Sequence, residues 1–197
     1  IGKNLTNHLS SKKNYKIYKL SLSLGNDLRE RKVLDFFLNK KINTIINLAG
    51  HTGGIHYFQK NFFDVYKDNL LINLNIIFSL KNYKKKINVI NILPNCMYDP
   101  HYPLQEEKNL LIGDVHSSVE CYALPKRFLI SLGSKLKNVC FVNLIFGGVY
   151  GPGDNYSADK SHALNAITSR MIKSKKTLDS NFEVWGTGKP IREWIYI

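Results

Sequence analysis

Tyr122 and Lys126 stand four residues apart in Tyr122-Ala123-Leu124-Pro125-Lys126. On a helix that spacing puts both side chains on one face. A free phenol titrates at about 10, and a neighbouring ammonium favours the phenolate, so the pair could exchange a proton with a ligand. Pro125 between them must lie in the first helical turn or kink the helix. Cys96, in Asn95-Cys96-Met97-Tyr98-Asp99-Pro100, follows a strand-like run, where a thiol could do more than pack. Asn47-Leu48-Ala49-Gly50-His51-Thr52-Gly53-Gly54-Ile55 ends another such run in small residues. A plain turn needs one glycine; the cluster around Ala49 and Gly50 instead favours a loop whose backbone admits a ligand. His51 reads there as a polar loop residue rather than a catalyst. Arg170 and Arg192 are two of only 5 arginines. Arginine grips phosphate bidentately where lysine does not, which favours a diphosphate clamp over surface salt bridges. Gly2 suits an ordinary helix start, or the tail of a glycine-rich turn whose helix faces a pyrophosphate. Asp27-Leu28 leaves two readings open: a carboxylate capping a helix from Arg29, or a contact with an adenine ring.

The elements that must position these residues alternate. Helical spacing of apolar residues predicts helices over 2–11, 29–39, 64–83, 119–136 and 161–173. β-branched and apolar runs predict strands over 15–20, 42–48, 87–93 and 139–146, with short strands near 182–185 and 194–197. Tyr150-Gly151-Pro152 reads as a turn. Alternation of this kind implies βαβ units, right-handed crossovers and an α/β doubly wound parallel sheet of the Rossmann-like class, with ligands beyond the carboxyl ends of the strands. The loops after Leu48, Leu93 and Phe146 are therefore the places to look. The chain opens directly on a helix with no strand before it. In a sheet ordered 3-2-1-4-5-6 the first strand is the middle one. The expectation is a fragment of a longer protein, in which a strand ending in a G-x-x-G-x-x-G turn precedes Ile1 and Gly2 is its last glycine.

Composition narrows the function. The chain has 197 residues, enough for one domain and part of a second at about 150 residues each. No apolar run approaches the roughly 18 residues of a membrane-spanning helix, and no signal-peptide pattern opens the chain. Three scattered cysteines suggest neither a disulfide framework nor a metal site and fit a reducing cytoplasm. The net charge of +13 comes mainly from scattered lysines, the mixture an AT-rich coding sequence gives. It argues for a small polyanionic ligand such as a nucleotide more than for nucleic acid.

Gly53-Gly54-Ile55, Asn69 with Asn75-Ile76-Ile77, Cys96, Tyr122 with Lys126, Tyr150-Gly151-Pro152, Ser161-His162, Trp185-Gly186-Thr187-Gly188 and Arg192-Glu193 together resemble the extended short-chain dehydrogenase/reductases. Within that NAD-dependent epimerase/dehydratase family the resemblance is to the nucleotide-sugar branch, over nearly the whole chain. It implies an NAD(P)-binding domain over 1–150, incomplete at its N-terminus, and part of a substrate-binding domain over 151–197. It also implies one site for two reactions on a GDP-4-keto-6-deoxy sugar. Cys96 and His162 match the acid/base pair that epimerises C3 and C5. Tyr122 matches the donor of a proton to the C4 oxygen during reduction by NADPH. Lys126 matches the residue that holds the nicotinamide ribose and lowers the tyrosine pKa. Gly2, Asp27, Leu28, Ala49 and Gly50 would complete the cofactor site; NADP(H) is favoured, with NAD(H) the other option. Arg170, Trp185 and Arg192 fall where the family grips GDP. No metal is implied, and relatives commonly dimerise through a helix bundle. Two departures stand out. Pro94 replaces a serine that hydrogen-bonds the C4 oxygen, and Phe146-Gly147-Gly148-Val149 lacks a substrate-binding asparagine. Pro94 opens the alternative of a catalytically impaired, nucleotide-sugar-binding relative.

Overall fold

The structure, a computed structural model, describes residues 1–12, 14–157, 160–179 and 181–197. In chain order the regular elements are α1 (Gly2–Ser10), α2 (Arg31–Leu38), β1 (Thr44–Asn47), α3 (Ile55–Lys60), α4 (Phe62–Asn82), β2 (Ile87–Pro94), α5 (Glu120–Gly133), β3 (Val139–Phe146), β4 (Gly148–Tyr150), α6 (Ala163–Thr177) and β5 (Trp194–Tyr196). β1, β2 and β3 form a parallel sheet in that order, with Asn47 opposite Asn91 and Asn91 opposite Asn143. The crossovers run through α3–α4 and α5, as the alternation of elements requires.

Burial explains why these segments stay put. α4 hides Val65, Asn69, Asn73, Ile76, Ile77 and Leu80, residues three and four apart along one face. α2 adds Leu34 and Leu38 one turn apart. Leu34, Leu38, Ile76, Ile77 and Leu80 pack with Ile87, Val89 and Leu93 of β2 and Leu129 of α5 into one core, while Val65 packs with Phe58 and Cys121 in a second cluster. One polar row crosses this apolar layer. The Asn47 side-chain amide donates to Asn91 Oδ1 at 3.0 Å, and that of Asn91 donates to Asn143 Oδ1 at 2.9 Å.

Several expectations need correction. Residues 15–20 form no strand, and among the described residues neither they nor the free edge of β1 has a ladder partner. The helix expected from residue 64 begins at Phe62 and is preceded by a separate short helix, the break falling at Asn61. β3 is covered on one side only: Val142 and Leu144 are exposed on the other. Residues 182–185 have no strand partner either. Tyr150 ends β4, which pairs in parallel with β5, and the expected turn follows over residues 151–153, closed by the Asp154 N–H donating to the Gly151 carbonyl at 3.2 Å. Gly148 makes that pairing work: a Cβ there would fall 2.5 Å from the Trp194 ring.

Candidate active site

The site lies where β1 ends against α5. α5 carries Tyr122 and Lys126 one turn apart and faces α4 along its length. The helix runs unbroken through Pro125, which lies beyond the first turn and whose carbonyl accepts a 2.8 Å hydrogen bond from the Asn73 amide. Lys126 is 2% exposed, and its Nζ donates to the Ala49 carbonyl at 2.8 Å. Gly50 follows in close contact. A Cβ there would fall 3.2 Å from Asn69 Oδ1 and 3.5 Å from both Lys126 Nζ and Tyr122 Cε2. Only glycine leaves this backbone open to a ligand beside the two side chains. Asn69 clamps the loop from α4, accepting from the His51 N–H at 3.0 Å and donating to the His51 carbonyl at 2.9 Å. Gly2, at the start of α1, comes to the same end of the sheet: its Cβ would touch the Leu48 side chain at 3.5 Å.

The protonation states are set by burial. Desolvation pushes the Lys126 ammonium down to about 8. Desolvation also pushes the Tyr122 phenol up to about 12, with a smaller push from Cys96 and a partial offset from Thr52. Burial, not the neighbouring lysine, sets the direction at Tyr122, and the Lys126 ammonium donates its hydrogen bond to the Ala49 carbonyl instead. Tyr122 stacks on Phe58 with ring centroids 5.7 Å apart and planes 23° apart. Cys96, in a tight turn after β2, is pushed up to about 12, again mainly by burial. Both groups rest protonated near neutral pH.

The sequence profile of the NAD dependent epimerase/dehydratase family matches residues 1–197. The chain belongs to this family. It is 29% identical to the GDP-L-colitose synthase of Yersinia pseudotuberculosis, over 100% of this chain and 65% of that protein. It is 28% identical to the GDP-L-fucose synthase of Azorhizobium caulinodans, over 88% and 57% respectively. The GDP-L-fucose synthetase of Naegleria fowleri, solved bound to NADP, superimposes with a TM-score of 0.77 at 27% identity, over 99% of this chain and 65% of that one. The chain therefore spans less than two thirds of the relatives it matches.

Against this family background the remaining residues divide. Arg170 and Trp185 come together, the guanidinium lying 4.4 Å from the indole ring centroid. His56 of α3 meets the same ring edge-on at 4.7 Å, a partner that sequence spacing gave no sign of. Arg192 is exposed and donates to the neighbouring Ile191 carbonyl at 3.1 Å. His162 stands exposed at the N-terminal boundary of α6, with no side-chain bond to that helix end. Two hollows lie along α4 and beside α3. One, of about 400 Å³, is lined by Phe62, Phe63, Tyr66, Lys67, Leu70 and Leu71. The other, of about 180 Å³, is lined by His56, Tyr57, Lys60, Asn61 and Lys160.

The Asp27 carboxylate accepts from the Arg29 N–H at 2.9 Å and pairs with its guanidinium at 2.7 Å. It closes the turn before α2, which begins at Arg31. Arg29 reaches on to Asp68 at 3.1 Å, Asp68 meets His51 Nδ1 at 2.9 Å, and His51 Nε2 meets the Tyr57 hydroxyl at 2.7 Å. Leu28 is tied to α4 through its carbonyl, which accepts from the Asn75 amide at 2.9 Å. Asp68 and Arg29 thus brace both loops at this end of the sheet.

Proposed function

We propose that the protein is a nucleotide-sugar epimerase/reductase, resembling GDP-L-fucose synthases, that acts on a GDP-4-keto-6-deoxy sugar with NADP(H). The observation that carries this reading is the convergence of Tyr122, the Lys126 ammonium and the open backbone of Ala49–Gly50 at one sheet end. The glycine cradle would hold the dinucleotide, with Gly2, Asp27 and Leu28 completing the cofactor site. When bound there, NADP(H) supplies the hydride of the reduction. Tyr122, held as a neutral phenol, is in the form needed to give a proton to the C4 oxygen as the ketone is reduced. Lys126 stabilises the phenolate left behind and orients the ribose. Cys96 rests as a thiol and so starts as the proton donor at one epimerised carbon, with His162 as the base on the opposite face. Arg170, Trp185 and Arg192 hold the GDP. Residues 1–150 form the cofactor domain in this reading, and residues 151–197 begin the substrate domain.

Relatives named as synthases favour the active enzyme over the impaired relative that Pro94 suggested. The epimerase half is tested by incubating the protein with GDP-4-keto-6-deoxymannose in heavy water. Deuterium should enter at C3 and C5, and Cys96→Ser should abolish at least one of the two exchanges. No exchange in the unaltered protein would remove the epimerase role.

No described helix is long and apolar enough to cross a membrane. A cytoplasmic location is part of this proposal, resting on three cysteines too scattered in the sequence for a disulfide framework. Phe63, Leu71 and Phe78 of α4 and Phe128 and Leu132 of α5 are exposed on neighbouring helices. An apolar stripe of that kind marks an interaction surface, here for a second copy in a homodimer. Leu71→Glu combined with Phe128→Glu is expected to convert the dimer to monomer in sedimentation. A dimer unaffected by both charges would rule out this face.

A further inference from the structure

Asn47, Asn91 and Asn143 are register partners on three adjacent strands, and Asn47 and Asn91 are 5% and 0% exposed. Burying an amide is costly unless it is hydrogen-bonded, and an apolar side chain would fill such positions without that cost. The direction of the row shows what the amides achieve. Asn91 donates to Asn143 and accepts from Asn47. The Asn47 carbonyl oxygen is then turned toward the end of β1, where it accepts the Ala49 N–H at 3.2 Å. A flipped Asn47 would set its NH2 against that N–H, donor against donor. The Ala49 carbonyl in turn accepts from Lys126 Nζ. An unbroken series of hydrogen bonds therefore runs from β3 through β2 and β1 to the side chain facing Tyr122.

We infer that Asn47, oriented by Asn91 and Asn143, is a positioning residue that fixes the Ala49–Gly50 turn against Lys126 and so shapes the dinucleotide cradle. The link from cradle to cofactor rests on the function proposed above; the link from Asn47 to Ala49 does not.

The test compares Asn47→Leu, which keeps the volume and loses the acceptor, with Asn47→Asp, which keeps an oxygen toward Ala49. Amide hydrogen exchange reads the turn directly. Asn47→Leu should speed exchange of the Ala49 amide about tenfold, the worth of one hydrogen bond, while Asn47→Asp stays near the unaltered protein and β2 amides stay protected in both. NADP(H) affinity should fall about tenfold with Leu and be largely retained with Asp. Unchanged Ala49 exchange in Asn47→Leu, or equal acceleration in both variants, overturns the inference. If Asn47→Leu does not fold, Asn143→Leu at the half-buried far end decides: faster Ala49 exchange supports the relay and unchanged exchange ends it. If the unaltered protein fails to bind NADP(H) while the exchange pattern holds, the proposed function falls and the positioning role stands.

Discussion

Tyr122→Phe is expected to lower kcat for ketone reduction by about 10³-fold while leaving NADPH and GDP affinities nearly unchanged. A positioned general acid contributes roughly 10²–10⁴ in rate. Burial holds the Tyr122 phenol up at about 12, so it is protonated throughout the working pH range, as a proton donor must be. Phenylalanine keeps the ring stacked on Phe58 and loses only the hydroxyl. Because the phenol does not titrate near neutrality, the pH dependence of reduction should follow Lys126, falling above about pH 8 as the ammonium is lost. Steady-state NADPH oxidation across pH checks both points. An undiminished rate in Tyr122→Phe would remove the tyrosine from the chemistry.

Lys126→Met is expected to abolish most activity and yet stabilise the fold. Lys126 is held at about 8, against an ordinary value of 10.5. Below pH 8 it is charged in both the folded and the unfolded chain, and the folded chain carries that charge largely stripped of water. Between pH 8 and 10.5 the unfolded chain binds the extra proton, so stability rises with pH across this window. The whole difference is about 3 kcal/mol. Methionine of similar volume avoids it, though the bond to Ala49 is lost. The expected gain is roughly 1–3 kcal/mol at pH 7, in line with other replacements of buried ions, and it should shrink to nothing near pH 10. Urea unfolding at pH 7 and pH 10 measures it. A loss at pH 7, or a gain of the same size at both pH values, would contradict the assignment of a buried ammonium.

Much of this site was legible in the sequence because it depends on local spacing. The four-residue interval from Tyr122 to Lys126 places them on one face of α5, and the small residues after β1 mark the loop they meet. The β-branched run of β3 gave that strand its limits to the residue. What depends on distant partners was not legible. Nothing local to Gly148 shows that the Trp194 ring of β5 lies over it. Arg29 and Asp68 are 39 residues apart, and no local pattern pairs them. Residues 15–20 have the composition of a strand, but a strand also needs a neighbour. Spacing reveals the ammonium beside a phenol and not the depth at which both are buried, and burial is what sets the direction of the Tyr122 shift.

If the Ala49–Gly50 cradle, Tyr122 and Lys126 serve the proposed reduction, the protein turns over NADPH against a GDP-linked keto sugar. The most direct measurement is NADPH oxidation by the protein on addition of GDP-4-keto-6-deoxymannose. The expected result is oxidation that requires the sugar nucleotide and is lost in Tyr122→Phe. Binding of both NADPH and the sugar nucleotide without oxidation, or oxidation that survives in Tyr122→Phe, would contradict it.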